Sequence, residues 1–284
     1  MGILDWLQNF VTLNHSFNWG YVWKYLLAPA IIQGVVLVII LAVISQLLGT
    51  LIGLLLYFMS RSRWRVLRAI SGIYVWFFRG TPLLVQILFV FYLFPYLQLA
   101  RPLRSLDLFS ALGFTHGVGP VFLDSFIAGL LALSLNEGAY MREIVRAGIG
   151  AIDAGQLEAA KSLGMTYSLA MRRIILPQAF RVIIPPLGNE FNNMLKNTSL
   201  AYGAGLYELL NTSLSIGGPL FAIPELLVVA SVWYLLLTTI WGFIQSAIER
   251  RLGAAEIEPG IKGDNWWQRV VGMGHREVGP LSVH

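Results

Sequence analysis

The sequence predicts an all-α integral membrane fold with five transmembrane helices, the N-terminus outside, and a helical cytoplasmic connection between spans three and four. Three observations carry this: composition, long uncharged runs, and an uneven distribution of basic residues. Of 284 residues 56% are apolar and only 12% charged, about half the charged share of a soluble domain. Lipid is the solvent that suits such a chain. There is no cysteine, so no disulfide or thiolate metal site is available and stability must come from helix packing. The net charge of +5 sits in short clusters between apolar runs. That pattern suits membrane flanks and not nucleic acid.

The first span lies within Tyr25–Ser60, thirty-six residues without a formal charge, where roughly 20 suffice to cross a bilayer. The last, Leu226–Ile248, is equally clean. Between them, Ala69–Leu97 is interrupted only by Arg79 and Val118–Leu135 only by Asp124, whereas Pro186–Leu210 carries Glu190, Lys196 and Glu208. Lys and Arg number fifteen in segments 61–68, 141–181 and 249–284, against three in 1–24, 98–120 and 211–225. The basic side is the cytoplasmic one. Met1–Tyr25 lacks a basic n-region and a cleavage pattern, so it is not read as a signal peptide. Its aromatic residues Trp6, Phe10, Phe17, Trp19, Tyr21 and Trp23 predict an interfacial segment over 1–24. Residues 25–252 form the transmembrane domain, and 253–284 a cytoplasmic tail expected to be partly disordered.

The 141–185 connection is long enough to be an interaction element. Asp153-Ala-Gly-Gln156 has capping-box spacing, with Asp153 accepting from a backbone N–H and Gln156 reaching back to the cap. Leu157, Ala160 and Leu163 recur at three-residue spacing, and Gly164 is placed to end the helix in a left-handed conformation. Thr166 is placed to cap a second helix through Arg172-Arg173, ending near Leu176-Pro177.

Here the residues resemble a family. Glu158-Ala159-Ala160, Gly164, Ile174 and Leu176-Pro177 carry the spacing of the EAA signature of ABC importer membrane subunits. Arg79-Gly80-Thr81-Pro82-Leu83-Leu84, Ala139-Tyr140, Glu143-Ile144-Val145-Arg146, Leu176-Pro177-Gln178-Ala179 and Lys196-Asn197-Thr198-Ser199-Leu200 extend the resemblance over roughly residues 25–250 to the polar-amino-acid group, of histidine, glutamine and glutamate type. The resemblance implies that the EAA segment is a coupling helix, so that Glu158, Ala159, Ala160 and Gly164 dock a separate ATPase. It further implies two ATPase subunits, which carry ATP and Mg, and a second permease subunit, self or paralogue. An extracytoplasmic amino-acid-binding protein and a bacterial-type cytoplasmic membrane complete the expectation. The outer loop at 95–119 and the tail after Gly253 depart from the group's pattern, and their roles are not supplied by it.

Ionisable groups at membrane depth are functional candidates by default. Gly80 can end one helical segment and Thr81-Pro82 begin another, with Thr81 as N-cap, which predicts a broken second span near the bilayer middle. At such a break Arg79 either holds an amino acid's α-carboxylate or pairs with an intramembrane carboxylate. On the third span Asn136, Glu137 and Tyr140 follow the apolar run, and Glu137 shares a face with Tyr140. Glu137 either meets a substrate ammonium, pairs with Arg142 or faces inner water. Asn192, Lys196 and Ser199 form a polar stripe that suits either helix packing or a translocation path. Glu208, toward the outer end, meets a cation or water; together with Arg79 it favours a zwitterionic substrate.

His15, His116, His275 and His284 lack ligand spacing, and no metal site is expected. There is no phosphate loop of the G-x-x-x-x-G-K-[ST] kind, no GxSxG and no HExxH, so this chain is expected to be neither an enzyme nor a cofactor carrier. A secondary transporter is the main rival class, and inverted internal repeats, which would support it, are not visible.

Overall fold

The computed structural model describes residues 17–97 and 120–253. Expectations for residues 1–16, 98–119 and 254–284, including the outer loop, the tail and all four histidines, lie outside the described residues. Among the described residues every regular element is helical.

Helix α1, Trp19–Leu26, starts where the Asn18 side chain accepts from the Gly20 N–H at 2.8 Å, and it ends with Lys24 in its last turn, where a cation complements the helix dipole. The Asn18 N–H donates to Glu225 Oε1 at 2.8 Å, tying α1 to the last helix. Helix α2, Pro29–Ser60, begins with proline in its first turn, where a missing N–H costs nothing. Its inner face buries Ile31, Leu37, Val38, Leu41 and Ala42, while Leu47, Leu51, Leu55 and Phe58 stand exposed. Spacings of four, four and three put those four on one stripe, an apolar surface suited to lipid.

Helix α3, Arg65–Gly80, is fastened to its neighbours by Ser71 Oγ donating to Leu56 O and Tyr74 Oη donating to Leu135 O, both 2.8 Å. Helix α4, Leu83–Leu97, follows after a break of two residues, bent by 107° from α3. Helix α5, Pro120–Gly150, runs unbroken for 31 residues and packs along α2. That contact is close because the backbones meet at glycine: a Cβ added at Gly49 would lie 2.5 and 2.6 Å from Glu137 Cγ and Cβ, and one at Gly138 would strike Ile52. Gly49 and Gly53 form the small-residue spacing that lets membrane helices approach.

Helix α6, Ala154–Ser162, and α7, Tyr167–Ala170, make the predicted helix, turn and helix. The expected stop at Leu176-Pro177 is overturned. The chain passes through a wide turn at Met171–Ile175, where the Leu176 N–H reaches back to Met171 O, and continues as α8, Leu176–Asn197. That five-residue reach opens the helix just where Pro177 would otherwise crowd the preceding carbonyls. Gln245 Nε2 and Trp241 Nε1 donate to Pro185 O and Gly188 O of α8 at 3.3 and 2.8 Å, bracing its Pro185-Pro186 pair.

The fourth apolar run, 186–210, is likewise not one helix. After α8 a tight 3₁₀ stretch, Thr198–Ala204, leads to Gly205 at φ 75° and then to α9, Leu209–Gly217. The last helix, α10, is Ile223–Arg251. By length and apolarity α2 and α10 each suffice to cross a membrane, and α3 with α4 make a third span if the bent pair is counted as one.

Candidate functional site

The break between α3 and α4 is built around carbonyls that the end of α3 leaves without helical partners. Thr81 was expected to cap α4; its hydroxyl instead donates back to Phe77 O at 2.9 Å. The next carbonyl, Phe78 O, accepts from two amides, Gln86 Nε2 at 2.9 Å and Asn136 Nδ2 at 3.0 Å. Asn136 Nδ2 also donates to Gln86 Oε1 at 3.0 Å, and Gln86 Nε2 donates to Thr81 O and Oγ1 at 3.1 and 2.7 Å. Both amides are buried. In surroundings poor in water, unpaired carbonyls would cost several kcal/mol each, of order ~2–7.

One turn beyond Asn136 on α5, the Arg79 guanidinium lies over the Tyr140 ring, 5.3 Å from its centroid. Such a contact contributes roughly 0.5–2 kcal/mol while leaving the guanidinium's hydrogen bonds available. Glu137 neither pairs with Arg142 nor faces water. It is only 4% exposed, so it does not face water, and Arg142 pairs with Glu143, which also holds Arg146 at 2.8 Å. Gln46 Nε2 on α2 donates to Glu137 Oε1 at 2.9 Å instead. Glu190, on α8, lies within electrostatic reach of both Glu137 and Arg79. Thr81 and Asn136 therefore meet at the break through Gln86, and Arg79 meets Tyr140 one turn along α5, while Glu137 faces α2.

Other candidates stand apart from the break. Glu208 was placed toward a cation or water, but it is fully buried. Its carboxylate caps α9, accepting from the Leu210 and Asn211 N–H groups at 2.8 and 2.9 Å and from Tyr234 Oη at 2.8 Å. This is a cap with three bonds, and the zwitterion argument from Glu208 falls with it. The polar stripe divides: Asn192 and Lys196 belong to α8, Lys196 being exposed, and Ser199 to the 3₁₀ stretch.

On the far side of α5, Asp153 Oδ1 accepts from the Gly155 N–H at 2.7 Å and starts α6. Gln156 does not close the capping box; it accepts from Gln178 Nε2 of α8 at 3.5 Å. Gly164, at φ 77°, ends the helix, with the Met165 N–H reaching Ala160 O at 3.0 Å. Leu163, which recurs with Leu157 and Ala160 at three-residue spacing, is nevertheless 82% exposed at the C-terminal end of the helix, where its N–H still bonds to Ala159 O at 3.1 Å. Glu158, Ala159 and Gly164 are exposed, whereas Ala160 is buried against the chain. Ala160 thus seats the helix, and Leu163 joins the outward surface.

Sequence reasoning passed over Gln46, Gln86, Tyr234 and Glu225. A glutamine within an apolar run was the available signal for the first two. The partners they serve are 91, 50 and 8 residues away, and only the fold brings them near.

A continuous helix pair packed through glycines, a broken polar span and an exposed helical turn at one end define a polytopic membrane component of a transport system. Residues 49–254 match the family described as the binding-protein-dependent transport system inner membrane component, and this chain belongs to it. Among its relatives are the arginine transport system permease protein ArgU of Corynebacterium glutamicum, 42% identical over 66% of this chain and 56% of that protein. The L-cystine transport system permease protein TcyB of Bacillus subtilis is 40% identical over 67% of this chain and 73% of that one. The match thus spans little more than half of ArgU's length. Among solved structures, an amino acid ABC transporter crystallised with histidines superposes with a TM-score of 0.68 at 32% identity, covering 83% of this chain and 99% of that one. The MetNI methionine ABC transporter, at 16% identity and a TM-score of 0.53, shares the fold.

Proposed function

We propose that this chain is the membrane-spanning subunit of an ATP-driven importer of polar amino acids. The observation that carries the reading is the exposed α6 with its Gly164 turn, standing between α5 and α8 in a chain of this family. Relatives named for arginine, cystine and glutamine transport support the substrate class. Glu158, Ala159, Gly164 and Leu163 form the surface for a separate ATPase subunit, two of which, with their ATP and Mg, serve a pair of permease subunits. An extracytoplasmic binding protein delivers the amino acid to the opposite face. The chain crosses five times with its N-terminus outside; α3 and α4 form one crossing, and α8 with the 3₁₀ stretch forms another. Transport follows alternating access, in which the binding protein and ATP each favour one global state.

Within the path, Arg79 receives the α-carboxylate, since a guanidinium held over Tyr140 keeps its donors free for a bidentate contact. Glu137 and Glu190 supply the negative side for the ammonium group. The test is uptake of labelled amino acids into vesicles holding this chain and its ATPase, with ATPase binding measured alongside. Uptake of one polar class is expected, and Glu158→Lys should abolish both uptake and ATPase binding. Uptake that proceeds without the ATPase would sink the reading in favour of a secondary transporter.

A further inference from the structure

The amides at the break do something the substrate path does not require. Phe78 O receives two side-chain donors from different helices, and Gln86 and Asn136 are bonded to each other as well. The bent pair is therefore fastened to one point on α5, although a break satisfied by α4 alone would be free to flex. That point lies 14 residues before Gly150, about 21 Å of helix, and α5 runs without interruption from there to the three residues that precede α6. A stiff helix thus has the break at its middle and the exposed α6 turn at its end.

We propose that Gln86 and Asn136 form a clamp through which movement of α5 is passed to the break in the second span. They are positioning residues for transport and not contacts to the substrate; this rests on the importer reading above. Tyr140 lies one turn further along α5 and sits under Arg79, so an α5 that moves with the clamp closed carries Arg79 with it. With the clamp open, α5 is held to the bent pair by the Tyr74 bond to Leu135 O and by the Arg79 contact, and the break follows it less closely. Sites joined by a packed element with two arrangements are coupled in this way, and loosening the joint lowers the coupling without touching either site.

The test uses the full transporter in vesicles with Gln86→Met and Asn136→Leu, alone and together, both changes keeping size while removing the amide. Uptake and ATP hydrolysis are recorded in the same preparation. The expected result is uptake per ATP hydrolysed lowered by about tenfold in each single variant, with the double variant no worse than either, because both break one joint. Should Asn136→Leu fail to accumulate, Gln86→Met carries the test alone. A merely structural role would lower uptake and hydrolysis in proportion, and that result, an unchanged ratio or additive losses overturns the clamp. Uptake by the unmodified chain without ATP overturns the importer reading first and the clamp with it.

Discussion

Gly49 and Gly138 show how single residues set the distance between α2 and α5. With no hydrophobic drive between helices in lipid, close backbone packing is what holds them, and a methyl group is enough to disturb it. A Cβ at Gly49 meets Glu137 near its backbone, where no rotamer change gives relief. Gly49→Ala is expected to lower stability by about 1–3 kcal/mol, measured as a fall in the unfolding midpoint in detergent. Gly72 is the contrast, since nothing lies within 4 Å of its added Cβ. Gly72→Ala should be neutral or raise stability by up to about 1 kcal/mol. Glycine spacing was visible in the sequence; which glycines face a neighbour was not, because α2 carries apolar residues on every side.

Among the elements, α9 has the most unusual support. A helix of nine residues is marginal alone, and Glu208 gives this one two backbone bonds and an anchor on α10 through Tyr234. Glu208→Leu should loosen α9 by about 1–3 kcal/mol, since two N–H groups and a phenol lose their acceptor together. The check is hydrogen exchange over Leu209–Gly217, expected to quicken by roughly tenfold or more. No change there would mean that packing of Leu209 and Ser213 carries the helix without its cap. The cap escaped sequence reading because the apolar run through 186–210 read as one span. The turn at Gly205 is a tertiary choice, and Glu208 gains its role only once the chain turns.

Across the whole molecule the five-span reading places the α6–α7 turn and the α9–α10 turn on opposite sides of the membrane. The chain has no cysteine, so a single introduced thiol reports its side without background. Leu163 and Phe221 are 82% and 95% exposed at those two turns. Leu163→Cys is expected to react with an impermeant reagent only from the cytoplasmic face, and Phe221→Cys only from outside. Labelling of both from one face would remove a crossing between them and overturn the topology.

Composition and the spacing of charges were sufficient for a helical membrane chain, and the EAA spacing was sufficient for its family, because both are local or statistical properties of the sequence. The caps at Asp153 and Thr166 and the left-handed Gly164 were legible for the same reason: each is a contact within a few residues. The packing decided which polar groups meet. Glu137 belongs to Gln46, Glu208 to Tyr234, and Asn136 to Gln86, pairs separated by 91, 26 and 50 residues. A buried polar group must find a partner when no water is present, and only the tertiary structure determines which one is within reach.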